Sequence, residues 1–437
     1  MPTCRPQQVF AGISRSSGFN RTSFTSISTR AKFVTSISTR AKFEFGLVPQ
    51  QYYRSLSSSP IAMTEYESIA ATDFKSDTVT TPTPSMLQAM LTATHGDDVY
   101  KEDKTTNDLQ ARVAEMCGKP AGLFVVSGTM GNQICLRAHL HQPPYSILCD
   151  YRAHVYTHEA GGLAMLSQAM VTPVHPRNKI YLTAEDVEDY LILGDDIHTA
   201  PTRVISLENT LGGIIMPIEE IAKISALARR HGIKIHLDGA RLWNAAAETG
   251  IPLSEYGQYF DTMSLCISKG LGAPVGTVIV GEPDVLQTAN WFRKQAGGGI
   301  RQAGLLAAAA DVAITEIFPK LKQTHEVTKK LASELEEMGL TFQIPVQTNF
   351  IFLDLVKSGI DPAVLIEEGN KLGITIAGAR IAIHHQISPG AIEKLKLAVK
   401  KSLEISKHRQ ENGGTNGVKR PEGSLAYGVY DKIVIDH

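Results

Sequence analysis

Four short stretches combine residue types that can do chemistry together. In Ile235-His236-Leu237-Asp238-Gly239-Ala240-Arg241 an apolar run delivers Asp238 at its carboxyl end, just before a helical pattern. A carboxylate there can pair with a protonated ring nitrogen, and it can equally be a plain helix N-cap. Lys269 leaves a second apolar run, Ser264–Ile267, 31 residues after Asp238, a separation that leaves room for a helix and a return strand. A lysine leaving an apolar strand can be desolvated into a free amine nucleophile, although Ser-Lys-Gly by itself also suits a surface turn. Val125-Val126-Ser127-Gly128-Thr129-Met130-Gly131-Asn132 reads as strand, small-residue turn and helix start. Its backbone N–H groups and the Thr129 hydroxyl can bind a phosphate, or they can be a glycine turn with a threonine cap. His154, in Ala153-His154-Val155-Tyr156-Thr157-His158-Glu159, follows a fourth apolar run and can stack on a ring and exchange protons near neutral pH.

Three further segments are bland alone. They are Ser76-Asp77-Thr78, the stretch 290–301 with Arg293, Lys294, three glycines and Arg301, and Gly378-Ala379-Arg380, whose guanidinium can fork onto a carboxylate. The joint order is more informative. A phosphate turn, a ring-stacking histidine, a strand-end aspartate and a strand-end lysine follow one another. That is the order in pyridoxal-phosphate enzymes of the aspartate-aminotransferase fold group.

These residues need a scaffold that gathers strand ends. Leu123–Val126, Ser146–Leu148, Arg203–Leu207, Ile233–Leu237 and Thr277–Val280 read as buried strands. Between two of them Ile218, Ile221, Ile224 and Leu227 recur on one helical face, with Gly232 at the C-cap. Strand–helix alternation predicts an α/β fold, a mostly parallel sheet covered on both faces, with ligands at the strands' carboxyl ends. A smaller α/β unit follows. Helix is predicted over 320–339, 362–373 and 389–408, with strands in 349–355 and 374–384. The domains expected are a large one over 64–315, which includes an N-terminal arm, and a small one over 316–409. A tail follows over 410–437.

Residues 1–63 form a separate extension. Arg5, Arg15, Arg21, Arg30, Arg40 and Arg54 stand among serines and threonines, and Glu44 is the only acid before Glu65. The nonapeptide at 25–33 recurs at 35–43, and Arg54-Ser55-Leu56-Ser57-Ser58-Ser59 is similar to the pattern ahead of mitochondrial processing sites. A mitochondrial presequence cut near Met63 is the first reading, and a disordered extension in a cytoplasmic protein is the second.

The 437-residue chain is 43% hydrophobic with a formal charge of −1, so no basic field invites nucleic acid. The longest apolar stretch, 305–314, is short and contains Asp311, which argues against a membrane span. Five cysteines without a C-x-x-C pair argue for a reducing compartment, and all but Cys4 read as small core residues.

Over 74–387 the motifs SDTVT, GDDVYKED, SGTMGNQ, HVYTHEAGGLA, SLENT, LDGARLWNA, CISKGLGAPVG and FRKQAGGGIRQAG are together similar to the fungal-type, low-specificity threonine aldolases. The resemblance implies fold type I, with a seven-stranded large-domain sheet, and retro-aldol cleavage of L-threonine or L-allo-threonine to glycine and acetaldehyde. It implies that Lys269 carries pyridoxal phosphate, that Asp238 pairs with the ring nitrogen and that His154 stacks on the ring. Gly128, Thr129 and Arg301 would serve the phosphate, with Lys294 near it, contributed by a neighbouring subunit. Ser76, Arg241 and Arg380 would receive the substrate carboxylate, Tyr100 would line the site, and Glu159 would support it. No metal is implied. A homodimer or homotetramer with shared sites is. Many bacterial-type members carry histidine after Glu-Asn-Thr, whereas Leu211 follows Glu208-Asn209-Thr210 here. The β-hydroxyl proton must then go to His154, His158 or a water, with His154 first. The alternatives are a serine hydroxymethyltransferase, a β-eliminating lyase of the same fold, or a silent scaffold subunit.

Overall fold

The computed structural model describes residues 68–411, so the extension, its repeat, Cys4 and most of the tail lie outside the described residues. Among the described residues nine strands form two sheets. The large sheet holds β1 (Ala121–Val125), β2 (Ser146–Asp150), β3 (Met170–Val174), β4 (Thr202–Glu208), β5 (Lys234–Asp238), β6 (Thr262–Cys266) and β7 (Thr277–Gly281), in the order β1-β7-β6-β5-β4-β2-β3. Neighbours from β6 through β3 run parallel, and only β7 is antiparallel to both strands it pairs with. A fully buried sheet needs continuous apolar strands, and β2, β6 and β7 are buried at every residue.

The expected strands are present. β6 is the return strand expected ahead of Lys269, and only β3 was not set out as a strand by sequence. β3 contains Pro173 and is an edge strand, the position that tolerates a proline. The helix Ile218–Arg230 buries Ile221, Ile224 and Leu227 as its period predicts, and Gly232 beyond its cap adopts φ +65°. The helix Gly128–Ala138 lies so close to the sheet that a Cβ on Gly131 would come within 2.5 Å of Ser264 Oγ. That clearance brings its polar residues down onto the strand ends.

The second sheet is shorter than expected, with only β8 (Phe350–Phe352) and β9 (Arg380–Ala382), packed beside the helices Leu321–Glu337, Pro362–Lys371 and Pro389–Glu411. Its core includes Leu331, Leu335, Ile351, Leu365, Ile381 and Leu395, and also Phe74 from the arm. The arm is stitched there by Phe74 N–H to Thr375 O at 2.9 Å and by Ala382 N–H to Phe74 O at 2.9 Å. The other core gathers Leu237, Trp243, Ile267 and Val278 around the large sheet. Cys117, Cys135, Cys149 and Cys266 are buried free thiols, as expected. No helix among the described residues is long and apolar enough to cross a membrane.

Candidate active site

Parallel pairing in register sets Glu208 of β4 beside Asp238 of β5, and Asp238 beside Ser264 of β6. The loop after β6 carries Lys269. That loop is held by two bonds to the Lys269 carbonyl, from Thr80 Oγ1 at 2.8 Å and from the Gly272 N–H at 2.8 Å. The arm therefore anchors the lysine turn.

A buried polar network joins the expected site residues. Asn132 Nδ2 donates to Asp238 Oδ2 at 2.7 Å and to Glu159 Oε1 at 2.8 Å. Glu159 also accepts from Gln133 Nε2 at 2.5 Å and meets His154 Nδ1 at 2.8 Å. The His154 main-chain N–H donates to Glu208 Oε2 at 2.8 Å. Burial opposes the charged His154 ring, but its bond to Glu159 and the nearby acids prevail and raise its pKa. His158 lies 5.8 Å from the His154 ring at 22°; burial and the His154 charge lower its pKa. Glu208 is half-buried as a residue, yet burial of its carboxyl and the charge of Asp238 push it up to about 8. His154, Glu159 and Asp238 offer ligand atoms within 4.8 Å of one another, the separation of a metal cluster. Glu159 Oε1 already accepts from Asn132 and meets His154, and the Asn132 amide sits between the two carboxylates.

The residues expected to receive the substrate carboxylate form a second group. Ser76 accepts from Thr78 N–H at 3.2 Å and from Thr78 Oγ1 at 2.9 Å. Arg241 forks onto buried Asp77, Nε to Oδ2 at 2.8 Å and Nη2 to Oδ1 at 2.6 Å. Burial would raise the Asp77 carboxyl, but the Arg241 guanidinium overrides it and holds it at about 2. Arg380 donates from Nη2 to Lys75 O at 2.8 Å. The Arg241 and Arg380 guanidiniums lie 4.6 and 5.3 Å from the centroid of one ring, Phe350. The aromatic face thus holds two cations in one place.

Gly128 and Thr129 open the helix Gly128–Ala138, whose cap Ser127 accepts from Met130 N–H at 3.1 Å. Tyr100, Lys294 and Arg301 belong to neither network. Arg301 pairs with Asp97 at 2.7 Å, Tyr100 is 70% exposed, and Lys294 is exposed beside Gly299. Sequence reasoning missed Asn132, Gln133, Asp77, Glu208 and Phe350. The one signal available was Asn132-Gln133, a polar pair leading into apolar Ile134-Cys135-Leu136.

A strand-end amine, a strand-end carboxylate, a carboxylate-held imidazole and a helix N-terminus on one sheet define a pyridoxal-phosphate-dependent α/β enzyme of fold type I. The β-eliminating lyase family matches residues 73–358. The low-specificity L-threonine aldolase of Eremothecium gossypii is 52% identical over 363 residues, 82% of this chain and 95% of that protein. The low specificity L-threonine aldolase of Saccharomyces cerevisiae is 49% identical, over 83% of this chain and 96% of its own. The threonine aldolase structure from Leishmania major superposes with a TM-score of 0.63 at 20% identity, over 77% of this chain and 98% of that one, a likeness of fold. The chain belongs to the β-eliminating lyase family and, within it, to the low-specificity L-threonine aldolases.

Proposed function

We propose that the chain cleaves L-threonine and L-allo-threonine to glycine and acetaldehyde, with pyridoxal phosphate as cofactor. The observation that carries this reading is the Asn132-bridged pair Asp238 and Glu159, one carboxylate at a strand end and the other on His154. The donor set fits the cofactor. Glu208 and Asp238 crowd two carboxyls together and leave a deficit of positive charge that a protonated pyridine nitrogen would relieve. Lys269 supplies the amine and the first turn of the helix Gly128–Ala138 supplies N–H donors for a phosphate.

Pyridoxal phosphate supplies an electron sink for the pair left when the Cα–Cβ bond breaks. Lys269 would hold it covalently, Asp238 would face its ring nitrogen, and Gly128 and Thr129 would serve its phosphate. Arg380 and Ser76 would orient the substrate carboxylate. Arg241 would act beside them while locked to Asp77. Glu159 holds His154 Nδ1. A proton on Nδ1 leaves Nε2 bare to take the β-hydroxyl proton, as a carboxylate-oriented imidazole does in other enzymes. Leu211 offers no base, and His158 is the nearest second imidazole.

We also propose a homo-oligomer in which Tyr100, Lys294 and Arg301 serve the site of a second copy, and mitochondrial import directed by residues 1–63. Light scattering and amino-terminal sequencing of the mature protein test these two readings.

The primary test assays both substrates separately on the purified, cofactor-loaded chain. Equimolar acetaldehyde and glycine support the reading. Ammonia and 2-oxobutanoate would move the protein to the β-eliminating reaction that its family's description names. Lys269→Ala should lose the bound-cofactor absorbance and at least about a thousandfold in rate.

A further inference from the structure

The polar network does not stop at Asn132. Behind it, Asn132 Oδ1 lies 3.2 Å from His236 Nε2, His236 Nδ1 lies 2.9 Å from Thr262 Oγ1, and the same hydroxyl lies 2.9 Å from His139 Nε2. All four side chains are at most 5% exposed. Asn132 lies in the helix Gly128–Ala138 and His139, seven residues on, is its C-cap, two turns along the same face. His236 and Thr262 pair in register across β5 and β6. The chain of contacts runs under the helix, from the first residue of β6 to the carboxyl end of β5.

Hydrogen-bond accounting fixes its direction. The Asn132 amide has two N–H hydrogens and both point at carboxylates, Asp238 and Glu159. The flipped amide would turn an oxygen toward two carboxylates. Oδ1 must therefore accept, and the His236 Nε2 facing it must carry a hydrogen. Burial depresses the His236 pKa to about 3, so the ring is neutral and Nδ1 is bare. Thr262 Oγ1 then donates to Nδ1, which leaves its oxygen to accept from His139 Nε2. Burial brings His139 down to about 4, so it too is neutral.

We propose that Asn132 is the positioning residue that clamps Asp238 and Glu159 together, and that its amide is aimed by the Nε2–H of His236 with Thr262 and His139 lined up behind. One amide spans the carboxylate that would face the cofactor ring and the carboxylate that holds His154. Neither acid can turn without breaking a charge-assisted bond at the same amide. Asn132 acts through Asp238 and Glu159 and needs no contact with substrate. The inference builds on the cofactor reading above in its second test only.

The first test is imidazole nitrogen NMR on the ¹⁵N-histidine-labelled full chain without cofactor, with His236 assigned by its loss in His236→Gln. The expected spectrum at pH 7.5 has the His236 proton on Nε2. A proton on Nδ1, which would serve the Thr262 main chain instead, overturns the proposal, and this holds whatever the substrate is.

The second test compares two near-isosteric replacements by cofactor titration, followed by fluorescence and absorbance. Gln at 236 restores an N–H donor at the Nε2 position, and Met fills the space without one. His236→Met and Asn132→Leu should each weaken pyridoxal phosphate binding by about tenfold or more and move the bound-cofactor absorbance, while His236→Gln stays within about twofold of the parent. Equal behaviour of the Met and Gln variants would reduce His236 to packing and overturn its role. Parent-like binding and absorbance in Asn132→Leu would overturn the clamp. Should His236→Met or Asn132→Leu fail to fold, the tautomer of the parent chain decides.

Discussion

Glu208 and Asp238 end neighbouring parallel strands at paired register positions, so their two carboxyls are set side by side at the strand ends. Burial and Asp238 push Glu208 up to about 8, against an ordinary 4.5. The folded chain keeps this proton where the unfolded chain has released it. The group's support for folding is complete below about 4.5 and is lost as the pH rises through about 8. The cofactor-free protein should therefore melt at progressively lower temperature from pH 5 to 8, and Glu208→Gln should flatten that decline. An identical slope in the variant would show that Glu208 ionises freely.

Asp77 behaves in the opposite sense. Its carboxyl is held at about 2 by Arg241 against its own burial, so its contribution is present above the ordinary 3.8 and lost as the pH falls through about 2. Asp77→Asn leaves a buried guanidinium without its carboxylate and should cost about 3 kcal/mol at neutral pH. Urea unfolding measures the loss. The difference from the parent should shrink between pH 4 and pH 2.

The Glu159–His154 bond should be visible in the pH–rate profile. Glu159→Gln removes the carboxylate that raises the His154 pKa, so the acid limb of kcat/KM should move to lower pH. The rate at its optimum should fall by about 10- to 100-fold, because the imidazole loses its fixed tautomer. A profile that only scales down, with its acid limb in place, would assign that limb to another group.

Phe350 carries the guanidiniums of Arg241 and Arg380, the two proposed to receive the substrate carboxylate, on one ring. Phe350→Leu keeps the apolar bulk and removes the aromatic face. KM should rise about three- to thirtyfold with kcat changed far less, as expected for lost ground-state orientation. A kcat loss with unchanged KM would place Phe350 in the chemical step.

Arg301 and Lys269 allow a test of sites shared between copies. Lys269→Ala and Arg301→Ala chains should each be nearly inactive alone. Unfolded and refolded together, they should recover about a quarter of parental activity, since half the dimers would hold one complete site of two. No recovery would confine each site to a single chain.

The strand-end chemistry was legible in sequence because a strand and the residue that terminates it are local. Asp238 and Lys269 are flagged by the apolar runs before them, and their common sheet follows from the spacing. The pairings that give those residues their properties were not legible. Arg241 meets Asp77 across 164 positions, and Arg301 meets Asp97 across 204. Asn132 looked like part of a phosphate turn because nothing in its neighbourhood announces Glu159 or Asp238. Polar residues buried by tertiary contact lack the period that marks an apolar face, so their partners emerge only with the fold.

The arm has a consequence for the order in which the protein is made. Ser76, Asp77 and Thr80 leave the ribosome early. Thr375, Ala382 and Gln386, whose bonds fix the arm, leave some 300 residues later. The lysine turn that Thr80 anchors is translated between these two ends. The nascent chain therefore presents Lys269 before either the guanidinium on β9 or the docked arm surrounds it. The arm can dock only after residue 386 has been made, so the loop that encloses the lysine turn closes late in synthesis.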